Sequence, residues 1–145
     1  MLFDSHAHLN DESFDEDRDE LIGSLKDKGV DLVVNPGADI ETSITAIELA
    51  KKYDFIYSAV GVHPHDVSKL DDTAIETLRK LATENEKVVA IGEIGLDYYY
   101  DYSPREEQKE WFKKQIELAN ELKLPIIIHD RDAHGDTFEI IKNTK

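Results

Sequence analysis

The chain opens Met1-Leu2-Phe3-Asp4-Ser5-His6-Ala7-His8. Leu2-Phe3 reads as a short apolar strand that runs into a polar cluster. Side chains two apart on a strand share a face, so Asp4, His6 and His8 are expected to point the same way at the strand's C-terminal end. Two imidazoles held together can grip one cation, and a nearby carboxylate suits the same ion. A solvated His-x-His on a strand edge would carry the same letters. The metal reading gains weight further along, where Glu93 and His129 stand at the ends of later apolar runs.

Outward from this stretch the chain alternates. Residues 10–19 form an acidic loop, and 16–28 read as a helix with Leu21, Ile22 and Leu25 on one face, closed by Gly29 as a left-handed C-terminal residue. Leu32-Val33-Val34 is a buried strand stopped by Asn35-Pro36-Gly37, and a helix over 40–52 follows with Ile44, Ile47 and Leu49. A third strand over 55–62 leads into Gly61-Val62-His63-Pro64-His65, with a helix over 72–84 after it. Val88-Val89-Ala90-Ile91 is the fourth strand, opening into Gly92-Glu93-Ile94-Gly95-Leu96-Asp97 as a loop, then Tyr98-Tyr99-Tyr100. Ser103 is the expected N-cap of the next helix, with Pro104 at its first position and Glu106 completing a capping box. That helix runs to about residue 123, with Trp111, Phe112, Ile116, Ala119 and Leu122 as its core face. Ile126-Ile127-Ile128 is a fifth strand ending at His129, and a last helix covers 137–142.

Short apolar strands joined by helices predict a parallel α/β sheet covered on its faces. A doubly wound sheet and a barrel both fit the alternation. His6, His63, Glu93 and His129 lie at or just past the ends of separate strands, where the catalytic residues of (β/α)8 barrels converge, and this favours the barrel.

With 145 residues the chain suits one domain, 1–145. No apolar run is long enough to cross a bilayer and no secretory signal pattern is present, so a cytoplasmic protein without a membrane partner is expected. There is no cysteine, so any metal site must be built from His and carboxylate. The formal net charge of -15 argues against a protein that coats nucleic acid through a basic surface. It leaves open an enzyme that meets phosphate through bound cations, which dominate their local field.

Four stretches, Asp4-Ser5-His6-Ala7-His8, Gly61-Val62-His63-Pro64-His65, Gly92-Glu93-Ile94-Gly95-Leu96-Asp97-Tyr98 and Pro125-Ile126-Ile127-Ile128-His129, together resemble the TatD-type metal-dependent deoxyribonucleases of the amidohydrolase-like superfamily. They occur in the family's order and span essentially the whole chain. The resemblance implies a TIM-type (β/α)8 barrel and metal-dependent hydrolysis of DNA phosphodiesters. It implies that His6 and His8 bind one divalent ion, that Glu93 bridges two, and that His129 binds the second. The ions could be Mg, Mn, Zn, Ni or Co, since imidazole and carboxylate serve them all to differing degrees. Two such ions can clamp the attacking and leaving oxygens of a phosphoryl group, and a carboxylate has the two oxygens needed to link them.

Around that core, His63 and His65 are expected to face the same cavity and donate hydrogen bonds to phosphate or to the leaving oxygen. Asp4 is expected to orient an imidazole. Arg131 offers its fork of donors to a phosphate, and Tyr98 and its neighbours offer faces on which unpaired bases can stack. His134 and Asp136 are not read as ligands.

A whole (β/α)8 barrel needs about 250 residues, and only about five βα units are legible here. The resemblance places a further metal-binding His and a catalytic Asp on later strands. The chain is therefore expected to be an N-terminal segment, weakly active or inactive alone, and to self-associate or to sit beside the missing C-terminal portion. Two other functions fit the same residues: a metallo-hydrolase of small esters or amides, and a non-catalytic truncated barrel module.

Overall fold

The computed structural model describes residues 1–144. Its regular elements are β1 (Leu2–Asp4), α1 (Arg18–Leu25), β2 (Val30–Pro36), α2 (Ile40–Lys52), β3 (Ile56–Val60), α3 (Ala74–Thr83), β4 (Val88–Asp97), α4 (Arg105–Leu122), β5 (Ile126–Arg131) and α5 (His134–Asn143). The five strands pair in parallel, in the order β1-β2-β3-β4-β5. That order decides between the two architectures. A doubly wound sheet reverses direction at a switch point, whereas a monotonic order is the path of a barrel wall. The sheet curls into the first five βα units of a TIM-type barrel.

Alternate residues of each strand enter different layers, as the two-residue period requires. Val60, Ile91, Ile94 and Leu96 join Leu78, Trp111, Phe112, Ile116 and Leu118 in a core between the sheet and α3 and α4. Val33 and Ile56 join Ile22, Leu49, Ala50 and Leu9 in a second core under α1 and α2. On the opposite face Val34, Ala59 and Ala90 meet with Tyr57, Val89 and Ile127.

Several boundaries differ from the sequence reading for identifiable reasons. α1 starts later and ends sooner than residues 16–28: the chain tightens after Leu25, with Gly29 N–H on Lys26 O, and Gly29 turns at φ +85 as expected of it. α2 keeps the expected bounds 40–52, with Asp39 capping it through a reciprocal capping box with Thr42. The capping box expected at Ser103 and Glu106 does not form. Ser103 is buried, its hydroxyl donates to His65 O at 3.1 Å, and α4 begins at Arg105 with no side-chain cap. α5 begins at His134, three residues early.

The largest difference is β4. It does not end at Ile91 but continues to Asp97, pairing along β5 with Gly95 opposite His129 and Asp97 opposite Arg131. The supposed loop from Gly92 to Asp97 is strand, and β5 likewise runs past His129 to Arg131.

Candidate metal centre

Each strand end delivers its side chains by a different local device. β1 stops at Asp4, so His6 and His8 lie in the loop after it rather than on the strand. Asp4 Oδ1 accepts the backbone N–H of His6 at 3.1 Å, and Ala7 N–H bonds Val34 O at 3.1 Å. Asp4 thus holds the turn, not an imidazole as expected. His8 Nδ1 lies 3.2 Å from Pro36 O, and since a carbonyl only accepts, Nδ1 carries a proton, while Nε2, facing Glu93, is the nitrogen that would exchange its proton for a metal ion.

Glu93 and Asp97 reach the same place from the extended half of β4. Gly95 makes this possible: at φ +147 it lets β4 approach β5 so closely that a Cβ there would lie 1.9 Å from His129 O. Glu93 is buried among four imidazoles. Its Oε2 is 3.2 Å from His6 Nε2 and 3.0 Å from His8 Nε2, and those two nitrogens are 3.1 Å apart. Its Oε1 is 3.1 Å from His129 Nδ1. One carboxylate therefore faces two separate groups of nitrogens, one through each oxygen.

The second group is tied to Asp97. His129 Nε2 is 2.8 Å and His65 Nε2 2.9 Å from Asp97 Oδ2, while Asp97 Oδ1 accepts the backbone N–H groups of Tyr99 and Tyr100. His63 packs against both imidazoles with ring centroids 4.2 Å from each, and its Nδ1 accepts the His65 backbone N–H. Ligand atoms of His63, His65 and His129 lie within 4.8 Å of one another, as do those of His6, His8 and Glu93.

Burial and charge set the protonation of these groups. Burial opposes ionisation of Glu93, but hydrogen bonds from His129 and His8 and the charge of nearby imidazoles outweigh it and hold the carboxyl well below its usual range. Burial is likewise outweighed at Asp97, by the Tyr100 N–H, His129 and His65, leaving it at about 2. Glu93 raises His8 and His129 above the ordinary histidine value. His63 goes the other way: burial, then the charge of His129, lowers it to about 4.

The remaining expected site residues separate. Tyr98 donates its hydroxyl to Asp136 at 2.6 Å, lies under the Arg105 guanidinium at 4.1 Å and packs on the core, so it joins the end of β4 to α5. Burial and Asp136 push its hydroxyl up to about 12. Arg131 is exposed beside Tyr99 and Tyr100. His134 pairs with Asp130 on the surface, and neither it nor Asp136 enters the centre.

Three residues that matter here escaped the sequence reading. Asp97 reads as a loop residue in the sequence, yet it anchors two imidazoles. Gln108 and Gln115, buried on α4, each grip a strand end by the backbone: Gln108 accepts from Asp97 N–H at 2.8 Å and donates to Asp97 O at 3.1 Å, and Gln115 does the same to Val62 at 2.8 and 3.1 Å. Their signal was two amides seven residues apart within the apolar face of α4.

The donor set suits divalent metal. Ligand atoms sharing one ion at about 2.1 Å stand roughly 3 to 3.5 Å from each other, and His6 Nε2, His8 Nε2 and Glu93 Oε2 have that spacing. An ionised carboxylate, two nitrogens at this distance and His8 oriented by the Pro36 carbonyl so that Nε2 faces inward are what a cation of this kind requires.

The chain is 49% identical over 142 residues to the "Uncharacterized metal-dependent hydrolase YabD" of Bacillus subtilis, covering 98% of this chain and 55% of that protein. It is 43% identical over 134 residues to the "3'-5' ssDNA/RNA exonuclease TatD" of Cronobacter turicensis, covering 92% of this chain and 51% of that protein. The crystal structure of YjjV, a TatD homolog from Escherichia coli K12, superposes with a TM-score of 0.91 at 30% identity, over 99% of this chain and 56% of that one. The chain thus spans about half the length of the curated relatives it matches. The family described as TatD related DNase matches residues 3–145. On that match, and on a relative of 49% identity, this chain belongs to the TatD family.

Proposed function

We propose that this chain carries the metal-binding part of a nuclease that hydrolyses phosphodiester bonds of DNA. His6 and His8 would hold one divalent ion, His129 a second, and Glu93 would touch both. The observation that supports this most is the placing of the two Glu93 oxygens, one against His6 and His8, the other against His129. The relatives named metal-dependent hydrolase and 3'-5' ssDNA/RNA exonuclease support the reaction class.

Bound divalent ions supply the positive charge that a phosphodiester needs at its attacking and leaving oxygens. The chain's own residues do the rest. Glu93 is ionised throughout the working range, so it is available as a ligand without first losing a proton. Asp97 fixes the rings of His129 and His65. His63, neutral above about pH 4 and with Nδ1 already accepting, keeps its proton on Nε2 as a donor suited to a phosphoryl or leaving oxygen.

The test is cleavage of a labelled single-stranded oligonucleotide with Mg or Mn, alongside small esters and amides. In a complete enzyme containing these residues, turnover that chelator removes and that Glu93→Gln lowers by about 100-fold or more is expected. Cleavage indifferent to chelator, hydrolysis of small esters or amides only, or no divalent-ion binding by calorimetry would sink the reading.

A further inference from the structure

Beyond the end of β4 the chain leaves Tyr99, Tyr100 and Tyr102 in water, 64%, 44% and 63% exposed. Aromatic surface grouped in water marks a binding face. Tyr98 is already occupied by Asp136, Arg105 and the core; these three are not. Tyr100 and Tyr102 stack on each other, with centroids 5.1 Å apart and planes at 11°. The His65 ring meets both edge-on, at 5.5 and 4.8 Å, and His65 Nε2 is 2.9 Å from Asp97. One side chain therefore separates the aromatic group from the imidazole–carboxylate centre.

Arg131 completes the group, its guanidinium 5.4 Å from the Tyr100 ring and 6.0 Å from that of Tyr99. Other basic side chains nearby are committed: Arg105 pairs with Asp101, and Lys109 with Glu106 and Asp136. Arg131 makes no ion pair among the described residues. At a net charge of -15 the protein cannot draw in a polyanion through its overall field. Stacking of bases on aromatic rings does not depend on that field and tolerates any sequence.

We infer that Tyr99, Tyr100 and Tyr102, with Arg131, form a platform that stacks an unpaired nucleobase and holds its phosphate beside the metal centre. This rests on the nuclease reading above and adds the residues that recognise the substrate. Bases inside a duplex have no free face to offer, so the platform selects strands whose bases are unpaired.

Binding separates this claim from catalysis. Fluorescence anisotropy with cleavage-resistant phosphorothioate strands, one bearing bases and one abasic at every position, is measured in Mn. Wild type should bind the base-bearing strand on the order of 10- to 100-fold more tightly. Tyr100→Leu/Tyr102→Leu should remove most of that preference and leave abasic affinity unchanged, while Tyr100→Phe/Tyr102→Phe keeps it. Should the double leucine variant not fold, Tyr102→Leu alone carries the same expectation at reduced size. Arg131→Gln should weaken both strands alike and flatten the salt dependence. Equal wild-type affinity for the two strands, no binding of either, or a preference that survives the leucine variants overturns the platform. Base-dependent binding by this chain, without metal-dependent cleavage by a complete enzyme containing these residues, would keep the platform and overturn the nuclease reading instead.

Discussion

At the scale of single residues, the centre is governed by which groups hold protons. His8 and His129 are raised by Glu93, whereas a metal ligand must be neutral imidazole. Raised values mean that protons compete with metal until the pH rises through them. Metal affinity should therefore climb with pH through and above the ordinary histidine value of 6.5, and uptake should release protons. Calorimetry in buffers of different ionisation enthalpy measures that release, and pH-independent affinity would contradict it. The double substitution His6→Ala/His8→Ala removes both nitrogens facing Glu93 Oε2 and should abolish the tightest binding event. Calorimetry unchanged from wild type would remove these two from the ligand set.

At the scale of elements, α4 positions the end of β4 from below. Gln108 occupies both polar groups of the Asp97 backbone and also donates to Ser103 O at 2.8 Å, in a place without water access. Gln108→Leu should leave these groups unpaired and destabilise the fold by about 1–3 kcal/mol. Urea denaturation reads this directly, and an unshifted midpoint would mean that the amide is dispensable. The same elements show where the sequence was readable. The positions of the helices followed from apolar spacing and from Gly29, and the residues that gather around Glu93 stood out as polar letters closing apolar runs. The length of β4 did not, because Gly92 and Gly95 look like loop residues in a string of letters. Their purpose becomes visible only when β5 is laid against them, where Gly95 has no room for a side chain. Ser103 misled for a similar reason: a sound capping pattern lost to a tertiary partner, the His65 carbonyl.

At the scale of the whole molecule, β1 and β5 are the margins of the sheet, each paired on one side only. Leu2 and Phe3 on β1 are 61% exposed, and an open groove lined by Phe3, Val34, Ala90, Ile126 and Ile127 follows the inner face. Unpaired strand edges and apolar surface invite a second copy of the chain. Association that grows with concentration is expected by light scattering, and a monomer at every concentration tested would argue against it. The bridging place of Glu93 is most directly examined by metal content per chain after dialysis, in wild type, Glu93→Gln and Asp97→Asn. Glu93 faces both groups of nitrogens, so Glu93→Gln should lose metal from both. Asp97→Asn should retain the wild-type content with affinity weakened by about 10- to 100-fold. Wild-type metal content in Glu93→Gln, or equal losses in the two variants, would contradict a carboxylate shared between two ions.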